Sequence, residues 1–198
     1  MTIYTIGHST RTLDELVAAL QAHHVGTLVD IRAFPASRRL PHFNRESLEA
    51  ALPARGIAYV WMKELGGRRK KILAESPNTG LRNESFRNYA DYMLTPQFAG
   101  AIERLLEVAE ETAGAARESL MGGMSASGSG RQAGNTAIMC AERVYFQCHR
   151  MLVSDYLTAH GHEVWHIDDD KHAPRLHKLM AEAHLVNGQL LYNAHELF

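Results

Sequence analysis

Five short apolar runs, each breaking off into polar residues at its C-terminal end and separated by helix-period segments, constrain this chain more than any other feature. Ile3-Tyr4-Thr5-Ile6-Gly7, Thr27-Leu28-Val29-Asp30-Ile31, Ile57-Ala58-Tyr59-Val60-Trp61, 136–140 and 163–167 have strand length and composition. Thr12 and Glu15 form a capping box for a helix with Leu13, Leu16, Val17 and Leu20 at helical spacing. Asn44 heads a helix over 44–55 that Gly56 stops, and 86–93 reads as another. Thr95-Pro96 starts the next, with Phe98, Ile102, Leu105, Leu106 and Ala109 on one face. Residues 148–160 and 172–183 complete the expected helices, and the last residues add a small strand or a packed tail. Such alternation favours a parallel sheet with right-handed crossovers. The expected fold class is therefore α/β, a single domain with a mostly parallel sheet of about five strands flanked by helices.

The 198 residues suit one domain with a hydrophobic core. A stretch rich in Gly, Ser and Ala at about 114–134 reads as a flexible insertion inside that domain, because the βα pattern resumes behind it. No apolar run approaches the length of a membrane span, and the N-terminus lacks a signal pattern, so no membrane association and a cytoplasmic location are expected. In a reducing compartment Cys140 and Cys148 are expected as free thiols. A formal net charge of −1 excludes a global polycation but leaves room for a local basic patch.

A parallel sheet brings all strand C-termini to one edge, where ligands bind. Here those ends carry His8 and Ser9, Asp30 and Arg32, Glu64, Cys140 and Glu142, and His166 and Asp168. His8 is a candidate acid or base near pH 7, or alternatively a structural donor. Asp30 is either a general base or the structural partner of Arg32. Arg32, Arg38 and Arg39 flank Ser37 in one loop, and Arg68 opens a basic run behind Gly66-Gly67. Guanidinium forks suit phosphate or carboxylate oxygens. Cys148-His149-Arg150 opens a helix, whose free N–H groups favour anions and acidify a thiol; the alternative is that Cys148 packs as a small apolar residue. The candidate catalytic residues are thus Asp30, Glu142, His8 and Cys148. The candidate substrate-binding residues are Ser9, Arg32, Ser37, Arg38, Arg68, His149 and Arg150.

Several signatures are absent. There is no Walker phosphate loop and no dinucleotide glycine fingerprint, and no cofactor is expected. A phosphatase loop needs an arginine six residues after its cysteine, and that position holds Phe146 after Cys140 and Ser154 after Cys148. Cys140, Cys148, His149 and His166 could ligate a metal, but in no common zinc spacing, and no metal is assigned.

The pieces Ile3-Tyr4-Thr5-Ile6-Gly7-His8-Ser9, Val29-Asp30-Ile31-Arg32 through Pro35-Ala36-Ser37-Arg38, Leu65-Gly66-Gly67-Arg68, Tyr89-Ala90-Asp91-Tyr92-Met93, Met139-Cys140-Ala141-Glu142 and Cys148-His149-Arg150 together resemble the family known as domain of unknown function 488. The Leu197-Phe198 ending fits that likeness, whereas the Gly/Ser insertion and Val144-Tyr145-Phe146 depart from it. The resemblance implies the fold and the site but no settled reaction. Some similar proteins carry a DNA-repair label, which adds nucleic acid to the ligands to be tested.

Three functions follow as expectations. One is an enzyme with an anion-binding pocket, a hydrolase or glycosylase acting on a phosphate-bearing substrate or DNA. Asp30 or Glu142 would work on that substrate, with Tyr89, Tyr92 or Phe43 stacking on a displaced base. The second is a non-catalytic module for nucleic acid or another anion. The third is a metal or thiol-redox protein. The partner expected is an anionic substrate, with DNA among the candidates; nothing in the sequence specifies a protein partner.

Overall fold

The structure is a computed structural model that describes residues 1–120 and 133–193. Its elements are β1 (Thr2–Gly7), α1 (Leu13–Ala22), β2 (Val25–Asp30), α2 (Arg45–Ala51), β3 (Ala58–Trp61), α3 (Glu84–Met93), α4 (Pro96–Leu120), β4 (Asn135–Cys140), α5 (Arg150–Ala159), β5 (Glu163–Ile167), β6 (Arg175–Leu176), β7 (Ala183–Val186) and β8 (Gln189–Tyr192). The main sheet has the order β3-β2-β4-β1-β5-β6. Its first five strands are mutually parallel, as the alternation of strands and helices demands. The sixth, β6, is a two-residue antiparallel edge on β5. The β7–β8 hairpin turns on Asn187-Gly188, both with positive φ.

Strand parity divides the interior into two cores. Ile6, Leu28, Ala137 and Met139 face α1 and α2, packing with Leu16, Leu20 and Leu48. Ile3, Val29, Ile31, Ile138 and Cys140 face α3, α4 and α5, packing with Tyr89, Phe98, Leu105 and Leu152. Thr5 and His166 share the parity of this second set. The chain leaves β1 towards α1 and leaves β4 towards α5, on opposite faces. The boundary between these two neighbouring strands is therefore the switch point, where a crevice opens at the C-terminal edge.

Local chemistry sets most element ends. The Thr12–Glu15 capping box is formed. Asn44 precedes α2 without capping it, because its Oδ1 accepts from the Ser37 backbone N–H at 2.6 Å. The helical reading of 172–183 is overturned. Asp169 Oδ1 takes the N–H groups of Lys171 and His172 in a turn, and Arg175–Leu176 pair with β5. The His177 side chain is drawn into the core by Asp155 and His166. Buried hydrogen bonds thus outweigh a weak helical propensity interrupted by Pro174. Helix α4 continues to Leu120, so the start of the stretch read as a flexible insertion is helical; 121–132 lie outside the described residues. Among the described residues, no helix is long and apolar enough to cross a membrane.

At the switch point the chain leaving β4 crosses directly over Gly7, where a Cβ would lie 1.8 Å from the Glu142 carbonyl oxygen. Gly7→Ala should therefore push the 141–143 segment away and destabilise the domain by about 3 kcal/mol, measured by urea unfolding against the parent. A loss below about 1 kcal/mol would mean that the crossing is loose.

Candidate functional site

The crevice is a cleft of about 330 Å³ whose walls include Arg32, Arg68, Glu142, Cys148 and His149. These five of the sequence-selected residues are brought together. Asp30 and His8 sit behind the wall, and Arg38 is exposed on the flanking loop.

Asp30 is fully buried at the end of β2, facing the α1–α2 core. Its Oδ1 accepts from the Arg32 backbone N–H at 3.0 Å and from Arg32 Nε at 2.8 Å. Its Oδ2 accepts from Arg32 Nη2 at 2.5 Å and from the Tyr59 hydroxyl at 2.7 Å. Both oxygens are occupied, so Asp30 is the orienting partner of Arg32, the second of its two sequence readings. Arg32 Nη2 also donates to the Phe43 carbonyl at 2.8 Å, and Nη1 donates to His8 Nε2 at 3.2 Å. The remaining Nη1 hydrogen is the one this guanidinium has to offer a ligand.

His8 is held neutral. Its Nδ1–H donates to the Ser9 carbonyl at 2.9 Å, leaving Nε2 to accept from Arg32. Burial and the adjacent guanidinium lower its pKa to about 4. At neutral pH it is therefore an acceptor and not an acid. Ser9 contributes backbone in a left-handed turn. Ser37 spends its hydroxyl on the Leu40 N–H.

The opposite face supplies the sulfur chemistry. Cys140, ending β4, and Cys148, just before α5, are free, and their Sγ atoms lie 2.9 Å apart. Arg150 is 1% exposed and is the largest fully buried side chain. Its Nε donates to Cys140 Sγ at 3.1 Å, its Nη1 to Thr5 Oγ1 at 3.2 Å, and its Nη2 to the carbonyls of Glu142 and Arg143 at 2.5 and 3.1 Å. Arg150 is therefore a clamp inside the fold and not a substrate ligand. No described carboxylate lies within ion-pair distance of it. A buried cation needs an anionic partner, and among the described residues the ionisable side chains hydrogen-bonded to Arg150 are the two thiols. The Cys140 S–H, the Arg150 backbone N–H at 3.4 Å and the guanidinium all favour charge on Cys148, whose pKa is held below the ordinary thiol range. Cys140, the donor, is pushed up by that hydrogen bond and by burial.

The clamp continues away from the cleft. Thr5 Oγ1 meets His166 Nδ1 at 2.8 Å, His166 Nε2 meets His177 Nδ1 at 2.9 Å, and His177 Nε2 meets Asp155 Oδ1 at 2.8 Å. All four side chains are buried. With Arg150 donating to Thr5, one set of tautomers satisfies the whole row, ending on Asp155, which also accepts from Tyr192. Tyr145 stacks on His166 with a centroid separation of 3.5 Å. Burial lowers the His166 pKa to about 3.

The third wall is the 63–69 loop. Tyr89 and Tyr92 donate to the Leu65 and Glu64 carbonyls at 2.6 and 2.7 Å, and the Arg69 guanidinium lies 3.7 Å over the Tyr92 ring. These tyrosines are loop holders, and with Phe43 they are buried, so none is the stacking platform expected from sequence. Gly67 permits close approach to His149, since a Cβ there would lie 2.8 Å from His149 Nδ1. His149 Nε2–H donates to the Ile31 carbonyl at 3.0 Å, and burial lowers its pKa to about 4.

Sequence reasoning missed Phe34, a cleft residue that is 68% exposed. An aromatic between Arg32 and Pro35 in a polar loop was its available signal. Thr5 was legible too, as a polar residue of Cys140 parity in an apolar strand. For His177 and Asp155 no local signal exists. Among the described residues, no three His, Cys, Asp or Glu side chains converge as a metal site. His166 and His149 instead bond to His177 and to Ile31.

Two outcomes follow. Asp30→Asn leaves the Arg32 guanidinium buried without its counter-charge, so stability should fall by about 3 kcal/mol in chemical denaturation; an unchanged midpoint would free Asp30 from this structural role. The second concerns acid. His8, His149 and His166 have folded pKa values near 4, 4 and 3, below the unfolded value of about 6.5. The unfolded chain therefore takes up protons first as pH falls. This contribution to stability is complete above about pH 6.5 and is lost progressively towards pH 4. Each histidine should cost on the order of 1–2 kcal/mol at pH 5, lowering Tm by roughly 10 °C relative to pH 7.5. A flat melting profile over that range would show that the imidazoles are not held neutral.

A family model described as domain of unknown function DUF488 matches residues 12–116, just over half of the chain. The matched span contains Asp30, Arg32, Ser37, Arg38 and Arg68, while His8, Ser9 and the cysteines lie outside it. No curated protein and no solved structure matches the chain. With its match running from the cap of α1 into α4 and including the arginine loops of the cleft, the chain belongs to the DUF488 family.

Proposed function

We propose that the protein is an enzyme that holds a phosphate-bearing substrate in the cleft and attacks it with the Cys148 thiolate. The observation carrying this reading is the buried Arg150 guanidinium, which has cysteine sulfurs and no carboxylate as ionisable neighbours. A cation placed this way keeps a thiolate present at neutral pH, and the thiolate is the nucleophilic form. In the step proposed, Cys148 Sγ forms a bond to an electrophilic carbon and the leaving group departs with its electron pair. The leaving group takes a proton from solvent; water then attacks the same carbon, giving a proton to the Glu142 carboxylate on the cleft wall, and the C–S bond breaks with its electron pair returning to Cys148 Sγ, a net hydrolysis.

Substrate recognition is assigned to the opposite walls. Arg32 offers one directed N–H from a guanidinium fixed by Asp30, and exposed Arg68 adds a second cation. Arg38, Arg39, Lys70 and Lys71 are exposed on the loops flanking the cleft, which suits a substrate carrying more phosphate than the cleft encloses. The volume of about 330 Å³ admits one ring system and not a duplex. With exposed Phe34 as the stacking surface, the finer form of the reading is a nucleic-acid strand presenting one displaced base, as in repair-type hydrolysis. A reducing, cytoplasmic setting would keep both thiols available.

The test is iodoacetamide alkylation of the intact protein across pH, followed by mass spectrometry. Cys148 should react with an apparent pKa below that of a free thiol, and Cys148→Ser should abolish the modification. Inorganic phosphate, a nucleoside monophosphate and a short single-stranded oligonucleotide should protect in that rising order. Arg68→Ala should weaken protection about tenfold, the loss of one charge-assisted contact. An ordinary thiol pKa would remove the nucleophile, and no protection by any of the three would remove the phosphate-bearing substrate.

A further inference from the structure

We infer that Cys148 and Cys140 form a peroxide-reactive dithiol couple, with Cys148 the attacking sulfur and Cys140 the resolving one. The inference rests on the thiolate of the preceding reading but not on its substrate.

Four structural observations carry it. The two Sγ atoms lie 2.9 Å apart, so closing a bond of about 2.05 Å needs less than 1 Å of movement. Both sulfurs line the cleft, which gives a small oxidant access to a pair otherwise enclosed by the fold. Their positions are unequal: Cys148 stands just before α5, accepts the Arg150 backbone N–H at 3.4 Å and is 7% exposed, whereas Cys140 ends β4 and is 2% exposed. Finally, the Arg150 Nε beside Cys140 stabilises the negative charge that this second sulfur must develop to resolve the first.

The chemistry balances with a hydroperoxide as oxidant and a low-molecular-weight thiol as reductant. The Cys148 thiolate attacks the peroxide O–O bond, forming a sulfenic acid and releasing hydroxide, or alkoxide from an organic peroxide. Cys140 gives up its proton and attacks the Cys148 sulfur, expelling the sulfenic oxygen as water. The net reaction takes two thiols and one hydrogen peroxide to a disulfide and two waters. Two equivalents of external thiol return the pair to its reduced state.

Arg150 gives this couple an unusual energetic sign. In the disulfide both sulfurs are neutral, and the buried guanidinium keeps only Thr5 Oγ1 and the Glu142 and Arg143 carbonyls as acceptors. Losing a buried counter-charge is costly, and a crosslink between residues only eight apart constrains the unfolded chain weakly. The oxidised form is therefore less stable than the reduced form, the reverse of a structural disulfide, and external thiols reduce it readily.

The experiment treats the full chain at pH 7 with one equivalent of hydrogen peroxide, followed by alkylation, intact mass spectrometry and thermal melting. The expected product has lost two hydrogens, takes up no alkylating agent, melts several degrees below the reduced protein and reverts with dithiothreitol. Cys140→Ser should stop at a Cys148 sulfenic acid trapped by dimedone, and Cys148→Ser should leave Cys140 unoxidised. In Arg150→Met, or in Arg150→Gln should the first not fold, oxidation should no longer lower the melting temperature relative to that variant's own reduced form. The inference is overturned if both thiols survive peroxide, if Cys148 proceeds to sulfinic acid while Cys140 stays free, or if the disulfide raises the melting temperature. Normal alkylation of Cys148 alongside an inert peroxide response would sink this inference alone. Peroxide chemistry without protection by phosphate compounds would sink only the substrate reading.

Discussion

A guanidinium buried without a carboxylate is the constraint on which the rest of this site depends. Arg150 reaches from the start of α5 across β4 to Thr5 in β1, and it collects the carbonyls of the segment leaving β4 on the way. That grip fixes the path of 141–143 over Gly7, and with it the mouth of the cleft. The charge has to be answered inside the protein, and the sulfur pair is what answers it. Fold and chemistry are therefore coupled at one residue: the cation that ties three elements together is also the one that makes the nearby sulfur acidic.

The two faces of the sheet contribute separately to the cleft. The α1–α2 side delivers a rigid arginine, held by Asp30, Tyr59, Phe43 and His8. The α3–α5 side delivers the sulfurs, backed by the row from Thr5 to Asp155. Both sets are held in place because their polar groups are satisfied in the interior, where an unmade hydrogen bond is expensive. The Tyr89–Tyr92 segment completes the arrangement by pinning the glycine loop between them. The sulfur pair and the fixed arginine thus come from opposite layers and meet where the strands end.

Much of this was legible in the residues themselves. Local patterning located the five parallel strands and five helices, and the capping box marked the start of α1; the helix read over 44–55 ends at Ala51, and Gly56 closes the short 53–55 turn that follows it. The polar strand ends located the edge where the cleft lies, including Arg32, Cys148, His149 and Glu142 on its walls. The reading failed where function depends on partners distant in sequence. Asp30 was legible as a carboxylate at a strand end, but its saturation by Tyr59 depends on β3 lying beside β2. Arg150 read as an anion binder because helix starts usually are, yet its stem turns inward to Thr5, 145 residues away.

By itself, the sequence determined the fold class, the edge on which polar groups gather and which side chains stand at the strand ends there, because these follow from periods of two and 3.6 residues and from the direction of parallel strands. Tertiary structure alone decided what each of those side chains does. Whether an arginine meets a ligand or a carbonyl, whether a histidine is an acid or a neutral link, and whether a thiol is inert or charged are set by burial and by partners that local sequence does not specify. Residues 172–183 show the same division in miniature: helical by local propensity, they became an edge strand and a buried imidazole because β5 and Asp155 offered hydrogen bonds that a solvated helix could not match.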